Sequence, residues 1–379
     1  MPFRRIFPFI PEKKGLYIIR GPRQIGKSSW LKSILSYHAQ RDPKSCFYLS
    51  CENIRTHMEL AQTLNLIRGK SVVLLDEISF VEDWSRAIKH ELDRGEFKIL
   101  VITGSNSMDL RKGADRLPGR FAAGGEFMLL PMAFDEFCQM RIDAKWKPLS
   151  RDELLSQYFK IGGFPTALAE AGEEGHTPVQ SKETYRRWLV GDFVRCGKQE
   201  LYLREMMGQL ALTITSPISL QKIAAKTQMG SHHTASEYIA ALEDCFALRT
   251  LYAIDPNSGA LRFRKEKKFY FSDPLLYWIA LEWCQIPHPI DSEAKLAELV
   301  AHETLYRRYP RIGYYHSQKG EIDFYVKDEW ALEVKWAADL RNLSKAYREI
   351  ALPQKMVWVK SNFLQEFPNN LRIPSKNDF

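Results

Sequence analysis

Apolar positions change period several times along the chain, and each change marks an element. Leu16 to Ile19 form an unbroken apolar run, which reads as a buried strand. A glycine-bearing stretch interrupts it, and Leu31, Ile34, Leu35 and His38 then recur at helical spacing. Further runs follow at Cys46–Leu49, Val72–Ile78, Phe97–Thr103 and Glu126–Pro131. Short apolar runs alternating with helical segments predict an α/β fold with a parallel sheet. From residue 132 helical spacing takes over, in Ala133–Met140, Arg151–Lys160 and Lys182–Cys196. The break at Gly162-Gly163-Phe164-Pro165 is a sharp turn, and Ala171–Gln180 is a loop.

The pattern changes again at Glu205. Three helices are expected, over Met206–Thr215, Leu220–Ala225 and His232–Asp244, the last capped by Ser231. Two strands, Phe246–Ile254 and Leu261–Phe271, then enclose Asp255-Pro256-Asn257-Ser258-Gly259. That order is a winged helix-turn-helix. Its third helix would present His232, His233, Thr234, Ser236 and Glu237, and its wing Arg262, Arg264, Lys265, Lys267 and Lys268. The last third reads as a helix over Ser292–Arg308, strands at Gly313–His316, Glu321–Val326 and Trp330–Lys335, a helix near Leu340–Ile350 and a strand at Met356–Val359.

The chemistry begins at the first break. Gly21-x-x-x-x-Gly26-Lys27-Ser28, with a strand before it and a helix after it, is the context of a phosphate-binding P-loop. Backbone N–H groups and the helix N-terminus would receive the phosphates. The loop residues are Gly21, Pro22, Arg23, Gln24, Ile25, Gly26, Lys27, Ser28 and Ser29. Lys27 would neutralise the β- and γ-phosphates and Ser28 would hold Mg²⁺. Asp76 and Glu77 emerge at the C-terminal end of the third strand, the edge that carries ligands in open α/β sheets. Asp76 would join the Mg²⁺ shell, and Glu77 would polarise the attacking water. At the end of the fourth strand Ser105 or Asn106, with Thr103 as the alternative, could bond the γ-phosphate or the water. Arg116 and Arg120 are arginine-finger candidates, within the chain or from a neighbouring subunit of a homo-oligomer.

In the last third, Asp323 is followed after nine residues by Glu333-Val334-Lys335. Glu333 and Lys335 share a strand face, and Asp323 on the adjacent strand can meet Glu333. Two carboxylates for Mg²⁺ and a lysine to orient water suit phosphodiester attack. Glu303 on the preceding helix is a candidate further ligand. With its order of elements, this region reads as a restriction-endonuclease-like α/β domain. The alternative is a set of cross-strand salt bridges in a partner-binding domain.

Across 379 residues the net charge is +8, a mild basic excess that permits nucleic acid binding without requiring it. Six cysteines, none in a C-x-x-C pair, predict reduced thiols in a cytoplasmic protein without a zinc site. The sequence offers no signal peptide and no membrane span.

Several segments appear in order: Gly21-Pro-Arg-Gln-Ile-Gly-Lys-Ser28, Leu75-Asp-Glu-Ile-Ser-Phe-Val-Glu-Asp-Trp84, Ile102-Thr-Gly-Ser105, Leu117-Pro-Gly-Arg120, Phe134-Asp-Glu-Phe137 and Tyr158-Phe-Lys-Ile-Gly-Gly-Phe-Pro165. With them the chain resembles AAA-type ATP-binding proteins of bacteria and archaea that carry an uncharacterised C-terminal domain. The resemblance implies ATP as the nucleotide and a parallel sheet of order 5-1-4-3-2 with the glutamate strand in the middle. It also makes the helical region a lid beside the nucleotide, where Asp192 and Arg195 match an acidic and a basic position. The expected domains are an ATPase domain over 1–131, a lid over 132–204, a winged helix over 205–272 and the nuclease-like domain over 273–379. The expected function is Mg²⁺-dependent ATP hydrolysis coupled to binding or processing of duplex DNA or another nucleic acid. The rival is an ATP-gated switch whose C-terminal domain binds a protein partner without cutting.

Overall fold

The computed structural model describes residues 5, 7–104, 107–309, 311–336 and 343–364. Strands β1 (Gly15–Arg20), β2 (Cys46–Ser50), β3 (Val72–Asp76), β4 (Ile99–Thr103) and β5 (Gly125–Met128) form one sheet. Its order is β2-β3-β4-β1-β5 and all its pairings are parallel. This is the expected order read from the other edge, with one correction. β4 takes the centre, while Asp76-bearing β3 sits between β2 and β4.

Helices α1 (Lys27–Ala39), α2 (His57–Leu66), α3 (Trp84–Arg94) and α4 (Ser107–Ala114) connect or flank the strands. Alternation along each strand divides the sheet's side chains between two cores. Leu16, Ile18, Val73, Leu75, Leu100 and Ile102 pack with α2, α3 and α4 in a closed core. Tyr17, Ile19, Val72, Leu74, Ile99 and Val101 face the other way, into a core that runs on through the rest of the molecule.

That second core gathers α5 (Phe134–Asp143), α6 (Arg151–Ile161), α7 (Pro165–Ala171) and α8 (Val179–Arg195), then α9 (Glu200–Thr213), α10 (Leu220–Ala225) and α11 (His232–Asp244). A two-stranded antiparallel ribbon follows, β6 (Leu248–Tyr252) with β7 (Lys267–Phe271). Helix α12 (Pro274–Trp283) is nearly all apolar and nearly all buried, and packs against α6, α8 and α9. The last elements are α13 (Ser292–Tyr306), β8 (Gly313–Ser317), β9 (Gly320–Val326), β10 (Trp330–Val334), α14 (Lys345–Glu349) and β11 (Gln354–Trp358). Their strands make a sheet of order β11-β10-β9-β8, antiparallel except for β10 with β11.

The turn at Gly162-Gly163 shows why glycine stands there. A Cβ on Gly162 would lie 2.0 Å from Asp273 Oδ1, and one on Gly163 would lie 2.1 Å from the Met132 carbonyl oxygen. Asp273 accepts from the Gly163 N–H at 2.7 Å and caps α12 by accepting from the Leu275 N–H at 2.8 Å. One buried carboxylate thereby joins the expected lid to α12.

Candidate functional site

β1 delivers the chain to Gly21, whose α-carbon backs onto β5's exit. A Cβ there would sit 2.1 Å from the Leu129 carbonyl oxygen. Gln24 (φ 56°) and Gly26 (φ 105°) then turn the backbone so that α1 begins at Lys27. Gly26 is the N-cap and brings no side-chain acceptor, so no side-chain cap takes the first-turn N–H groups that an anion would use. The Lys27 side chain is 5% exposed and donates to the carbonyl oxygens of Gly21 at 3.0 Å and Pro22 at 2.7 Å. Burial lowers its pKa to about 8, against the opposing pull of Glu77 and Asp76.

Asp76 ends β3 at 4% exposure, and the two neighbouring strands each send it a hydroxyl. Thr103 Oγ1 on β4 donates a short hydrogen bond to Asp76 Oδ1, and Tyr48 on β2 donates to Oδ2 at 2.8 Å. Glu77 follows in a left-handed conformation (φ 55°), with its N–H donating to Thr103 Oγ1 at 3.4 Å. Thr103, read from sequence as an alternative contact to the γ-phosphate or the water, is therefore engaged with Asp76. Ser105 and Asn106 lie outside the described residues.

Two residues that sequence reasoning passed over support this site. Tyr48 stood inside an apolar run, and its polar end was the available signal. Arg5 donates to the carbonyl oxygens of Ile25 at 3.1 Å and Leu130 at 2.7 Å, bracing the loop from behind. Arg23 reaches the other way and pairs with Asp192 of α8 at 3.0 Å, so the loop and the expected lid touch directly. Arg116 pairs with Asp83 at 2.9 Å, and Arg120 grips Asp93 through Nε at 2.7 Å and Nη2 at 3.2 Å.

The second cluster lies between the ribbon and the last sheet. Glu333 and Lys335 meet as expected, with 2.7 Å between Lys335 Nζ and Glu333 Oε2. Asp323 Oδ2 accepts from the Val334 N–H at 2.9 Å and lies 4.0 Å from Lys335 Nζ. Glu303 does not approach. It stands five residues after Glu298 on α13, about 140° around the helix, and faces Arg249 at 3.6 Å and Arg307 at 3.9 Å. Glu298 faces the cluster in its place.

Lys268 corrects the wing. It was expected to face solvent and is instead fully buried, with Nζ 2.6 Å from Glu321, 3.0 Å from Glu298 and 3.2 Å from Asp323. Alternation along β7 turns it inward while Lys267 stays half-buried on the opposite side. Burial works against the ammonium charge, but Glu298, Tyr270, Asp323 and Glu321 hold its pKa well above the ordinary value. Glu298 is pushed up to about 7 by burial and by Asp323, and Glu333 to about 7 by the same two causes. Arg262 pairs with Asp255. Arg264 and Lys265 remain exposed, beside a Phe263 that is 64% exposed.

Residues 13–138 match the AAA domain family. Residues 152–283 match a domain of unknown function (DUF8612), which places α12 with the helices it packs against. An uncharacterized protein of Haemophilus influenzae is 28% identical over 60% of this chain, and the match spans 60% of its own length. An uncharacterized protein of Methanocaldococcus jannaschii is 23% identical over 83% of this chain and 73% of its own. Among solved structures, the Walker-type ATPase of Pyrococcus abyssi aligns with a TM-score of 0.46 at 14% identity, covering 70% of this chain and 90% of that one. The AAA match, the sheet order and the loop geometry support an ATP-binding P-loop domain. Among the described residues no helix is long and apolar enough to cross a membrane.

Proposed function

We propose that the protein is a Mg²⁺-dependent ATPase whose nucleotide state is passed to the helix-and-ribbon module over α9–β7. The observation that carries the reading is the convergence at Asp76. A buried carboxylate held by two hydroxyls, followed by Glu77 and near a buried Lys27, is what metal-assisted phosphoryl transfer to water requires. Ser28 and Asp76 would hold Mg²⁺, which supplies charge neutralisation at the phosphates. Lys27 would leave the loop carbonyls for the phosphate oxygens, and Glu77 would orient and polarise the water. Arg120 acts across a subunit interface in this reading, because within the chain Asp93 engages it.

Transmission rests on two contacts. Arg23 of the loop pairs with Asp192, and Arg111 of α4, the helix after β4, pairs with Asp244 at the end of α11 at 2.6 Å. The opposite end of α11 exposes His232 and His233, and the ribbon exposes Arg264 and Lys265. These suit contact with a nucleic acid backbone. The test is ATP turnover with Mg²⁺, with and without duplex DNA, using Lys27→Ala as the blank. DNA stimulation that disappears as salt rises is expected; a Lys27-dependent rate indifferent to DNA would refute the coupling.

One observation favours a second reading for the C-terminal domain alone. Lys268 holds Asp323, one of the carboxylates that a nuclease would need for metal, and Lys335 holds the other, Glu333, which suits an ATP-gated switch that holds a partner without cutting it.

A further inference from the structure

We propose that the Lys268 ammonium is the resident cation of the C-terminal carboxylate cluster, taking the Asp323 carboxylate that a restriction-endonuclease-like domain would use for a divalent metal. With Lys268 on Asp323 and Lys335 on Glu333, the Mg²⁺ site that these two acids suggest is closed. The inference deepens the second reading above, since it names what makes that domain non-cleaving.

Four features of the geometry agree. First, the ammonium has three N–H donors, and three carboxylates from two elements meet it: Glu298 on α13, and Glu321 and Asp323 on β9. Second, the spacing is that of hydrogen bonds. Distances of 2.6–3.2 Å to all three carboxylates are those of charge-assisted N–H···O bonds. Among the described residues no group of three or more His, Cys, Asp or Glu side chains is set to hold a metal. Third, Lys268 is anchored. Phe269, Tyr270 and Phe271 after it are buried, and β7 is paired along its length with β6. Fourth, the remaining acid is occupied too. Glu333 receives Lys335 at 2.7 Å and the Ser344 hydroxyl at 3.2 Å.

An ammonium neutralises carboxylates as a metal does, but it offers no open coordination position for a water or a phosphate oxygen. Its role is to fasten the ribbon to the last sheet. Tyr314 of β8 adds to this by donating to the Glu266 carbonyl oxygen at 2.6 Å.

The experiment is Mn²⁺ titration followed by electron paramagnetic resonance on the nucleotide-free full chain. Four proteins are compared: wild type, Asp323→Asn, Lys268→Met, and the Lys268→Met/Asp323→Asn double variant. Wild type and Asp323→Asn should bind Mn²⁺ identically. Lys268→Met should gain one site at least tenfold tighter than any it shares with wild type, and the double variant should lose it. A wild-type Mn²⁺ site removed by Asp323→Asn would overturn the proposal, as would a folded Lys268→Met that gains nothing. Should Lys268→Met not fold, the first pair alone decides. ATP turnover on the same samples separates failure of the ATPase reading from failure of this one.

Discussion

Thr103→Val is the sharpest probe of the nucleotide site. Thr103 is 0% exposed, and its hydroxyl serves both as donor to Asp76 and as acceptor for the Glu77 N–H. Valine keeps the branched shape, so no cavity forms, but the carboxylate loses a charge-assisted hydrogen bond that water cannot replace. Such bonds are worth about 1.5–3 kcal/mol. Expressed fully in transition-state stabilisation, that is a loss of about 10- to 150-fold in kcat/KM. Tyr48→Phe removes the partner bond of 2.8 Å from the other oxygen. Tyr48 is only half-buried, so water can restore part of that bond, and the loss should stay under about tenfold. The assay is steady-state ATP turnover across a Mg²⁺ titration, with urea unfolding to confirm the fold. The Thr103→Val profile should move to higher Mg²⁺, since Asp76 is the residue disordered. A folded Thr103→Val enzyme within twofold of wild type at every Mg²⁺ concentration would refute the role given to Asp76. So would a Tyr48→Phe enzyme that is the more damaged of the two.

Three further outcomes are expected. Burial holds the Lys27 pKa at about 8, below its ordinary value, so above that pH phosphate binding must first restore the proton. ATP affinity measured by calorimetry should fall by up to about tenfold per unit from pH 8 to pH 10, and Lys27→Met should flatten the profile. Burial raises the Asp273 pKa to about 7, so the folded state holds its proton to higher pH than the unfolded chain. Stability from this group is therefore lost as pH rises from about 4 to about 7, by roughly 4 kcal/mol at most, and urea midpoints of wild type relative to Asp273→Asn should decline across that window. Arg23→Ala leaves the buried Asp192, among the described residues, with Arg195 at 4.0 Å as its one remaining ion pair and should cost about 1–3 kcal/mol in urea unfolding, with Arg23→Lys recovering part of it.

What the sequence made legible followed local rules. The five parallel strands, the glycine loop and the Asp76-Glu77 pair depend on runs and spacings of a few residues; the structure has the five strands in one sheet, with the glycine loop between β1 and α1 and the acidic pair at the end of β3. Helix α12 escaped notice because it has no polar face. With Pro274 to Leu281 apolar or aromatic throughout and buried on nearly every side, no period marks it as a helix. The ribbon was legible as two strands, but not the direction of its lysines. Lys267 and Lys268 are equivalent by composition, and only the proximity of β9 and α13 decides which is buried. Glu298 and Glu303 differ in the same way, by their angle around one helix.

Reading the chain as four successive domains also understates how its ends are joined. Arg5 holds the Ile25 carbonyl of the P-loop and pairs with Glu136 of α5 at 3.2 Å. Glu136 is approached at 3.9 Å by Arg307, just past α13, which donates to the Pro131 carbonyl oxygen at 2.8 Å. Arg307 in turn faces Glu303, and Glu303 faces Arg249 of β6 and His302. Burial would raise the Glu303 pKa, yet His302, Arg249 and Arg307 hold it below the ordinary value, so the charge is retained inside the protein. Its nearest arginine nitrogens stand at 3.6 Å and 3.9 Å, beyond hydrogen-bonding distance, and neither oxygen accepts a hydrogen bond of good geometry from a described residue. A buried carboxylate so placed is costly to keep, and its removal from either arginine would cost more. Arg5, which braces the P-loop, and the helix that carries Glu298 to Lys268 thus share one incompletely satisfied set of charges. The nucleotide loop and the C-terminal cluster meet there through side chains of Arg5, Glu136, Arg307 and Glu303, none of which belongs to either motif.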